Sequence, residues 1–200
     1  MKRTFLEAMI HRRTFYTISN HSPITVKEIE AIINEAVLHV PSAYNSQTTR
    51  VVLLLGKSHL KLWKIVEEAL KEVMKGKSFD ATKAKIDNCF ACGYGTILFF
   101  EDQAVVEKLQ KTFPTYKDNF PIWSQHTAGM HQFAIWTMLE DAGLGASLQH
   151  YNPLIDKAVA ETWSLPEEWK LIAQMPFGTP IAEPGGKEFE SLAKRVKVFK

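Results

Sequence analysis

Five consecutive apolar residues, Val51–Leu55, constrain the fold of this chain more than any other feature. A strand that is apolar at every position has both faces buried, so its sheet needs a helical layer on each side. Strand patterns recur at Tyr94–Phe100, Leu144–Leu148 and Lys170–Pro176. Helical segments separate these strands, and the spacing is too long for hairpins. The sequence therefore predicts an α+β fold of three layers, in which helices cover a mixed central sheet.

Helical periodicity fills the gaps between the strands. Thr25 predicts an N-cap, and Glu28 three residues later completes a capping box ahead of the apolar positions Ile29, Ile32, Ile33 and Val37. The first helix is expected to carry Phe5, Met9 and Ile10 on one face, and the longest helix to turn Met130, Phe133, Ala134, Met138 and Leu139 inward. Further helices are predicted at Thr4–Arg12, Ser58–Met74, Phe79–Asn88, Gln103–Leu109, Ser124–Ala142 and Leu154–Trp163.

The end of the chain follows a Pro184-Gly185-Gly186 linker. Residues Arg195–Phe199 alternate between basic and apolar side chains, which predicts a strand. Since this strand lies beyond a flexible linker, we expect it to reach across to a second subunit.

Composition excludes several classes of function. The 200 residues suffice for one domain, 1–200. The net charge of +2 does not indicate the basic face that nucleic-acid binding requires. The N-terminus has no signal-peptide pattern, and the apolar runs are far shorter than the roughly 20 residues of a membrane helix. Two cysteines and the absence of an export signal favour a reducing cytoplasm.

Three segments could carry chemistry, and each also has a purely structural interpretation. In His11-Arg12-Arg13-Thr14, two guanidiniums and a hydroxyl could clamp a phosphate, or the cations could complement the end of a helix dipole. In Pro41–Gln47, the side chains of Ser42, Asn45 and Gln47 could meet the edge of a heterocycle, or they could satisfy loop backbone groups.

The third segment runs from Gly143 to Pro153. Its glycines would let the backbone approach a flat ligand, or Gly143 could simply cap the preceding helix. It is not a GxGxxG fingerprint, and its position after a long helix does not suit a dinucleotide-binding loop.

Taken together, these segments resemble the nitroreductase-like FMN flavoproteins. The residues 94–102 and 123–125 also fit a compact subgroup that includes fungal fatty-acid-repression proteins and bacterial copper-induced nitroreductases. The resemblance covers Arg12 to Phe199. It implies a homodimer that binds FMN and passes electrons from NADH or NADPH to a small acceptor such as a nitroaromatic or a quinone.

The resemblance also implies roles for individual residues. Arg12 and Thr14, with Arg13 beside them, match positions that hold the FMN phosphate and ribityl chain, and Arg195 matches a basic residue of the tail that completes this site. Ser42, Asn45 and Gln47 match the segment presented to the flavin of the partner subunit. The strand end comprising Ser147, Leu148, Gln149 and His150, continuing to Asn152, matches the backbone at the reactive edge of the ring. Lys187 and Lys194 are weaker candidates for the phosphate site.

One departure from the larger members concerns the acceptor. They carry a long helical insertion over the active site, and Pro114–Trp123 is too short to supply it. In this kind of enzyme the flavin carries the chemistry, so no catalytic side chain is expected. A flavin-binding regulatory or stress-response protein with little turnover would use the same binding residues, and a helical dimer without a cofactor would explain the glycines as caps.

Cys89 and Cys92 have CxxC spacing, which could indicate a redox dithiol or half of a zinc site. Because no second cysteine pair exists, we interpret them as buried apolar residues and expect no metal site.

Overall fold

The computed structural model describes residues 3–75 and 77–200, so Met1, Lys2 and Gly76 of the predicted 1–200 domain lie outside the described residues. The helices are α1 (Phe5–His11), α2 (Val26–His39), α3 (Gly56–Val73), α4 (Asp80–Ile86), α5 (Gln103–Thr112), α6 (Phe120–Asp141), α7 (Asp156–Trp163) and α8 (Leu192–Arg195). The strands are β1 (Ile18–Ser19), β2 (Thr49–Leu55), β3 (Gly95–Asp102), β4 (Gly145–Ala146) and β5 (Trp169–Pro180).

The sheet has the order β1-β5-β3-β2, and β4 also pairs with β5. Every ladder between these strands is antiparallel. Within the described ranges, the one parallel pairing is the bridge between Thr14 and Ala146, which joins the end of the first helical segment to β4. This bridge places the Arg12–Thr14 segment beside the segment that follows β4.

The two faces of β3 show why the chain forms three layers. Ile97 and Phe99 pack among residues of α2 and α6, whereas Leu98 and Phe100 pack among residues of α3 and α7. Each of these four side chains is at most 2% exposed. The predicted α+β architecture with a doubly covered sheet is therefore confirmed, but the ladders of the sheet are antiparallel instead of mixed.

Local capping signals in the sequence are also confirmed. The backbone N–H of Glu28 donates to Thr25 Oγ1 at 3.3 Å, and the Glu28 carboxylate accepts from the Thr25 backbone N–H at 2.7 Å. Gly143 follows α6 with φ +85°, and hydrogen bonds from Gly143 N to Glu140 O and from Leu144 N to Leu139 O close a Schellman motif. Gly143 therefore caps α6, which agrees with the structural interpretation of this glycine as a helix cap.

The structure corrects the predicted ends of several elements. β1 was not predicted, and β4 is two residues long instead of five because the chain after Ala146 makes only single bridges to β5. The strand predicted at Arg195–Phe199 does not form within the described chain: Arg195 ends α8, and residues 196–200 are exposed without ladder partners. An alternating pattern forms a strand only where an edge is available to pair with it.

One predicted buried face is wrong in part. Met130 and Phe133 of α6, which were expected to point inward, are exposed, and so are Phe5, Met9 and Ile10 of α1. The rings of Phe5 and Phe133 contact each other edge to face, with centroids 6.5 Å apart. Helical periodicity identifies an apolar stripe without showing which surface covers it, and these side chains form an apolar surface on the outside of the subunit.

Candidate functional site

The Arg12–Thr14 segment lies directly against β4. Besides the Thr14–Ala146 bridge, the backbone N–H of Phe15 donates to the Ala146 carbonyl at 3.0 Å. Phe15 also fills the space beside Gly145, where an added Cβ would lie 2.8 Å from the Phe15 ring. Gly145 is therefore required by packing within the chain. The consequence is that two of the three predicted segments, 12–14 and 147–150, are neighbours.

Arg12 is held in an unusual environment. Its guanidinium carbon lies 4.4 Å from the centroid of the Trp136 ring on α6, and its Nε is buried without a hydrogen-bond partner in the described structure. Burial lowers the pKa of the Arg12 guanidinium, an effect that Glu140 opposes and Arg13 strengthens. A half-buried cation with an unsatisfied donor is a place where an anion gains a strong, charge-assisted hydrogen bond.

Arg13 has a different role. Its Nη2 donates to the Gly185 carbonyl at 2.8 Å. This bond ties the start of the C-terminal tail to the end of α1. Arg12 therefore has a free donor for a ligand, whereas one terminal nitrogen of Arg13 is engaged with the chain itself.

Glu140 fixes α1 on the end of α6. Its Oε1 lies 3.2 Å from Arg3 Nη1 and 2.7 Å from His11 Nδ1. The Glu140 side chain is nearly buried, so these contacts are better shielded from water than those of an exposed ion pair. Because His11 precedes Arg12, Glu140 helps to set where the Arg12 backbone lies.

In the segment after β4, residues 147–150, two side chains are buried and part of the backbone is available to a ligand. The backbone N–H groups of Ser147 and Gln149 donate to carbonyls of β5, and Gln149 Nε2 donates to Ser147 Oγ at 3.1 Å. Both side chains are buried. Leu148 and His150 alternate to the opposite side, where their backbone N–H groups make no hydrogen bond within the described ranges. A ligand at this edge would therefore meet the backbone of Leu148 and His150.

The Ser42–Gln47 loop is strained and closely held. Tyr44, Asn45 and Gln47 have φ of 58°, 49° and 50°, which is uncommon for residues other than glycine. The loop is stabilised by a 3.0 Å hydrogen bond from Gln47 N to Ser42 Oγ. Such strain concentrates at functional sites, where the surrounding structure maintains it.

Aromatic side chains surround Tyr44. Its ring packs against Phe113, Tyr116 and Phe120 and lies parallel to the Trp123 ring, at 16° with centroids 6.1 Å apart. A cavity of about 410 Å³ opens beside this group. It is lined by Ala43, Tyr44, Trp123, His126, Thr127 and Met130. The short Pro114–Trp123 stretch thus forms an aromatic wall next to the loop.

The single chain does not unite all the predicted site residues. A cleft of about 360 Å³ includes Ser42, Gln47 and His131 among its lining, whereas Arg12 lies at Trp136, further along α6. Arg195 lies on the exposed helix α8, and in the described part of the chain no hydrogen bond or ion pair joins it to Arg12 or Ser147. Of the weaker candidates, Lys194 pairs with Glu190 and Lys187 lies over the Phe189 ring.

The contact between Arg12 and Trp136 is not predicted from the sequence. This contact spans 124 positions of the chain, so no local pattern could reveal it. The sequence feature closest to a signal for this contact is the α6 segment, which carries polar and aromatic side chains at positions that helical periodicity alone assigns to the core.

The cysteine pair lies away from this site. Cys89 is in a π-helical turn (Asp87–Ala91), and Cys92 donates through Sγ to the Asn88 carbonyl at 3.0 Å. Burial raises the pKa of the Cys92 thiol, which disfavours the reactive thiolate. In residues 3–75 and 77–200, no group of three or more His, Cys, Asp or Glu side chains could hold a metal, and no helix is long and apolar enough to cross a membrane.

Comparison with known proteins gives one consistent result. The sequence profile described as Nitroreductase family matches residues 9–179. The chain is 36% identical over 198 residues to HBN1 of Saccharomyces cerevisiae, covering 98% of this chain and 97% of HBN1. Nitroreductase CinD from Lactococcus lactis, solved with nicotinic acid, has a TM-score of 0.92 at 45% identity, covering 98% of this chain and 100% of CinD.

A more distant structure shares the fold alone. It is a protein from Exiguobacterium sibiricum solved in complex with FMN, with a TM-score of 0.69 at 12% identity and complete coverage of both chains.

Proposed function

The chain belongs to the nitroreductase family, and we propose that it is an FMN-dependent oxidoreductase that passes electrons from NADH or NADPH to a small acceptor such as a nitroaromatic or a quinone. The observation that carries this proposal is the position of Arg12, whose buried and unpartnered Nε lies on a segment that pairs with β4. We propose that residues 1–200 act as one FMN-binding domain.

The residues of this site suit both the phosphate group and the flat ring of FMN. The unpartnered Arg12 Nε would donate to the phosphate, and the Thr14 hydroxyl is available beside it. The free backbone N–H groups of Leu148 and His150 suit the polar edge of the ring, while the buried Ser147 and Gln149 hold that edge in place. When bound, FMN supplies hydride and electron transfer, and the protein supplies position and charge.

We assign the remaining part of each site to the partner subunit. Asn45 and Gln47 are exposed, and with Ser42 they occupy a strained loop beside His131 of α6, whereas Arg12 lies at Trp136. In a two-fold dimer, each loop would reach the flavin of the other chain, and both sites would be equivalent. Arg195 of the tail would complete the phosphate site.

Exposed apolar side chains support the dimer. They are Phe5, Leu6 and Ile10 on α1, Met130 and Phe133 on α6, and Leu192, Val196, Val198 and Phe199 in the tail. Phe5 and Phe133 are in contact with each other, and exposed apolar clusters are typical of an interface. We propose that the tail pairs with the partner, where its alternating pattern would form the predicted strand.

The aromatic wall at Tyr44 and Trp123 suits a flat acceptor. CinD has also been solved in complex with chloramphenicol and with 4-nitrophenol, at 45% identity to this chain. Both ligands contain a nitrobenzene ring. We propose that nitroaromatics bind this chain against its aromatic wall at Tyr44 and Trp123. A pair of aromatic rings contributes about 0.5–1.5 kcal/mol in addition to the free energy of burying their apolar surface.

Two measurements on the purified protein test the proposal. We expect a yellow protein with a flavin absorbance spectrum that releases FMN, and not FAD, when it is denatured. With 4-nitrophenol or a quinone present, it should oxidise NADH or NADPH faster than in a control without acceptor. A colourless protein that takes up no added FMN would contradict the flavin assignment, whereas a yellow protein without turnover would favour the regulatory role.

A further inference from the structure

Two unsatisfied N–H donors lie on one cation–π pair of side chains. Arg12 Nε and Trp136 Nε1 are both buried, and neither has a hydrogen-bond partner among the described residues. The guanidinium of Arg12 lies over the indole, 4.4 Å from its centroid. A buried donor left without a partner destabilises a protein by about 1–3 kcal/mol, so two of them at one place require an explanation.

The charged groups around this pair do not satisfy it. The Glu140 carboxylate is paired with Arg3 and His11, and Arg13 donates to the Gly185 carbonyl. Glu140 favours the charged form of Arg12 and Arg13 disfavours it, but neither is hydrogen-bonded to its Nε. An acceptor from outside the chain would satisfy both free donors.

We infer that Trp136 is a positioning residue of the phosphate site: its ring holds the Arg12 guanidinium flat, and its Nε1–H is a second donor to the same anion. This inference rests on the proposed function, because the anion it names is the FMN phosphate. A guanidinium on an aromatic face keeps its edge free for hydrogen bonds, and the face restricts its rotation. The sequence alone assigns no such role to Trp136.

Two substitutions separate the two parts of this role. Trp136→Phe keeps an aromatic face under Arg12 but removes the indole donor. Trp136→Leu removes both. Trp169→Phe is the matched control, because Trp169 also lies under a guanidinium, that of Arg50 at 6.0 Å, but at the opposite end of β5 from the residues that pair with β4.

Affinities for FMN and for riboflavin, measured on the full-length protein after removal of its flavin, test the inference. Riboflavin has the same ring and ribityl chain without the phosphate. For Trp136→Phe we expect the Kd for FMN to rise about tenfold or more, as for one lost hydrogen bond to a charged group. The Kd for riboflavin should stay within about twofold, since the donor does not touch the ring. Trp136→Leu should lose more FMN affinity, and Trp169→Phe should lose none.

Several outcomes would overturn the inference while leaving the proposed function intact. If Trp136→Phe binds FMN as tightly as the unmodified protein, the indole is not a donor to the phosphate. If its affinities for FMN and riboflavin fall together, Trp136 acts on the ring or on the fold. The melting temperature of flavin-free Trp136→Phe should not fall below that of the unmodified protein, because the substitution removes a buried donor that has no partner; a lower value would show that the fold is disturbed. Failure of the unmodified protein to bind FMN would refute the proposed function itself.

Discussion

The two adjacent arginines of the phosphate site can be distinguished by removing each in turn. Arg12 lies on Trp136 with an unpartnered Nε, whereas Arg13 donates to the Gly185 carbonyl. We therefore expect Arg12→Ala to weaken FMN binding more than Arg13→Ala. The comparison is well matched, because both substitutions remove one positive charge from neighbouring positions.

The size of the effect follows from the bond that is lost. A hydrogen bond to a charged group is worth about 1.5–3 kcal/mol, so Arg12→Ala should raise the Kd for FMN roughly 10- to 150-fold. Arg13→Ala loses a bond to a neutral carbonyl, worth about 0.5–1.5 kcal/mol of folding stability. It should change the Kd for FMN by less than about tenfold, through the general loss of positive charge.

Thermal unfolding gives a second readout of the same change. A tenfold rise in Kd at a fixed excess of FMN removes about 1.4 kcal/mol of stabilisation. For a chain of 200 residues this lowers the melting temperature by about 3–6 °C. Adding more FMN should restore most of the loss. A small deficit should remain, because the stack on Trp136 contributes about 0.5–1 kcal/mol of its own where it is partly exposed.

FMN titration of the two flavin-free variants, followed by melting curves at increasing FMN, is the assay. Equal or reversed losses of affinity would show that the register of the phosphate site is wrong. If the melting temperature of Arg12→Ala stays far below that of the unmodified protein at saturating FMN, Arg12 instead stabilises the end of α1, and its role is structural.

Two further predictions follow from the exposed tail and from a buried carboxylate. Light scattering should show a dimer with two bound FMN, and a monomer that retains FMN would contradict the shared site. Glu101 is fully buried, its Oε2 has no hydrogen-bond partner among the described residues, and burial raises its pKa. The folded state therefore binds the carboxyl proton more tightly than the unfolded state does. Folding stability should fall as the pH rises above the usual pKa of about 4.3. Glu101→Gln keeps an acceptor for Thr49 and gains an amide donor, so its melting temperature at pH 7 should exceed that of the unmodified protein by at least about 2–4 °C. That difference should shrink as the pH falls toward the usual value of about 4.3, below which the carboxyl is protonated in both states, and a difference that is independent of pH would refute the explanation.

The parts of the fold that the sequence predicts well are those set by local chemistry. The capping box of Thr25 and Glu28 and the helix-ending Gly143 depend on residues within a few positions of each other. The doubly buried strand β3 depends on an uninterrupted apolar run, whereas the equally apolar β2 forms an edge of the sheet and is mostly half-buried. In these cases the residues that specify the feature are also the residues that form it, so no knowledge of the tertiary structure is needed.

The parts that the sequence predicts poorly need a partner from elsewhere. The apolar faces containing Phe5 and Phe133 were recognised, but the inward orientation predicted for Phe133 is wrong, because an apolar stripe can pack on its own subunit or on another. The strand pattern at Arg195–Phe199 pairs with no strand of the described chain, and the sequence does not show which edge would accept it. The pairing of Arg12 with Trp136 joins positions that no spacing rule connects.

Helix α6 brings these separate observations together. One side of it, including Ile135 and Leu139, lies in the core, while Met130 and Phe133 are exposed and Trp136 lies under Arg12. Substitutions along α6 would therefore mix effects on folding, on subunit association and on FMN binding, because neighbouring residues on one helix are energetically coupled. Trp136→Phe avoids this mixing, since it keeps most of the buried ring and changes one N–H group. A selective loss of phosphate recognition in that variant would locate the FMN phosphate at the Arg12–Trp136 pair, and it would do so without reference to any relative of this protein.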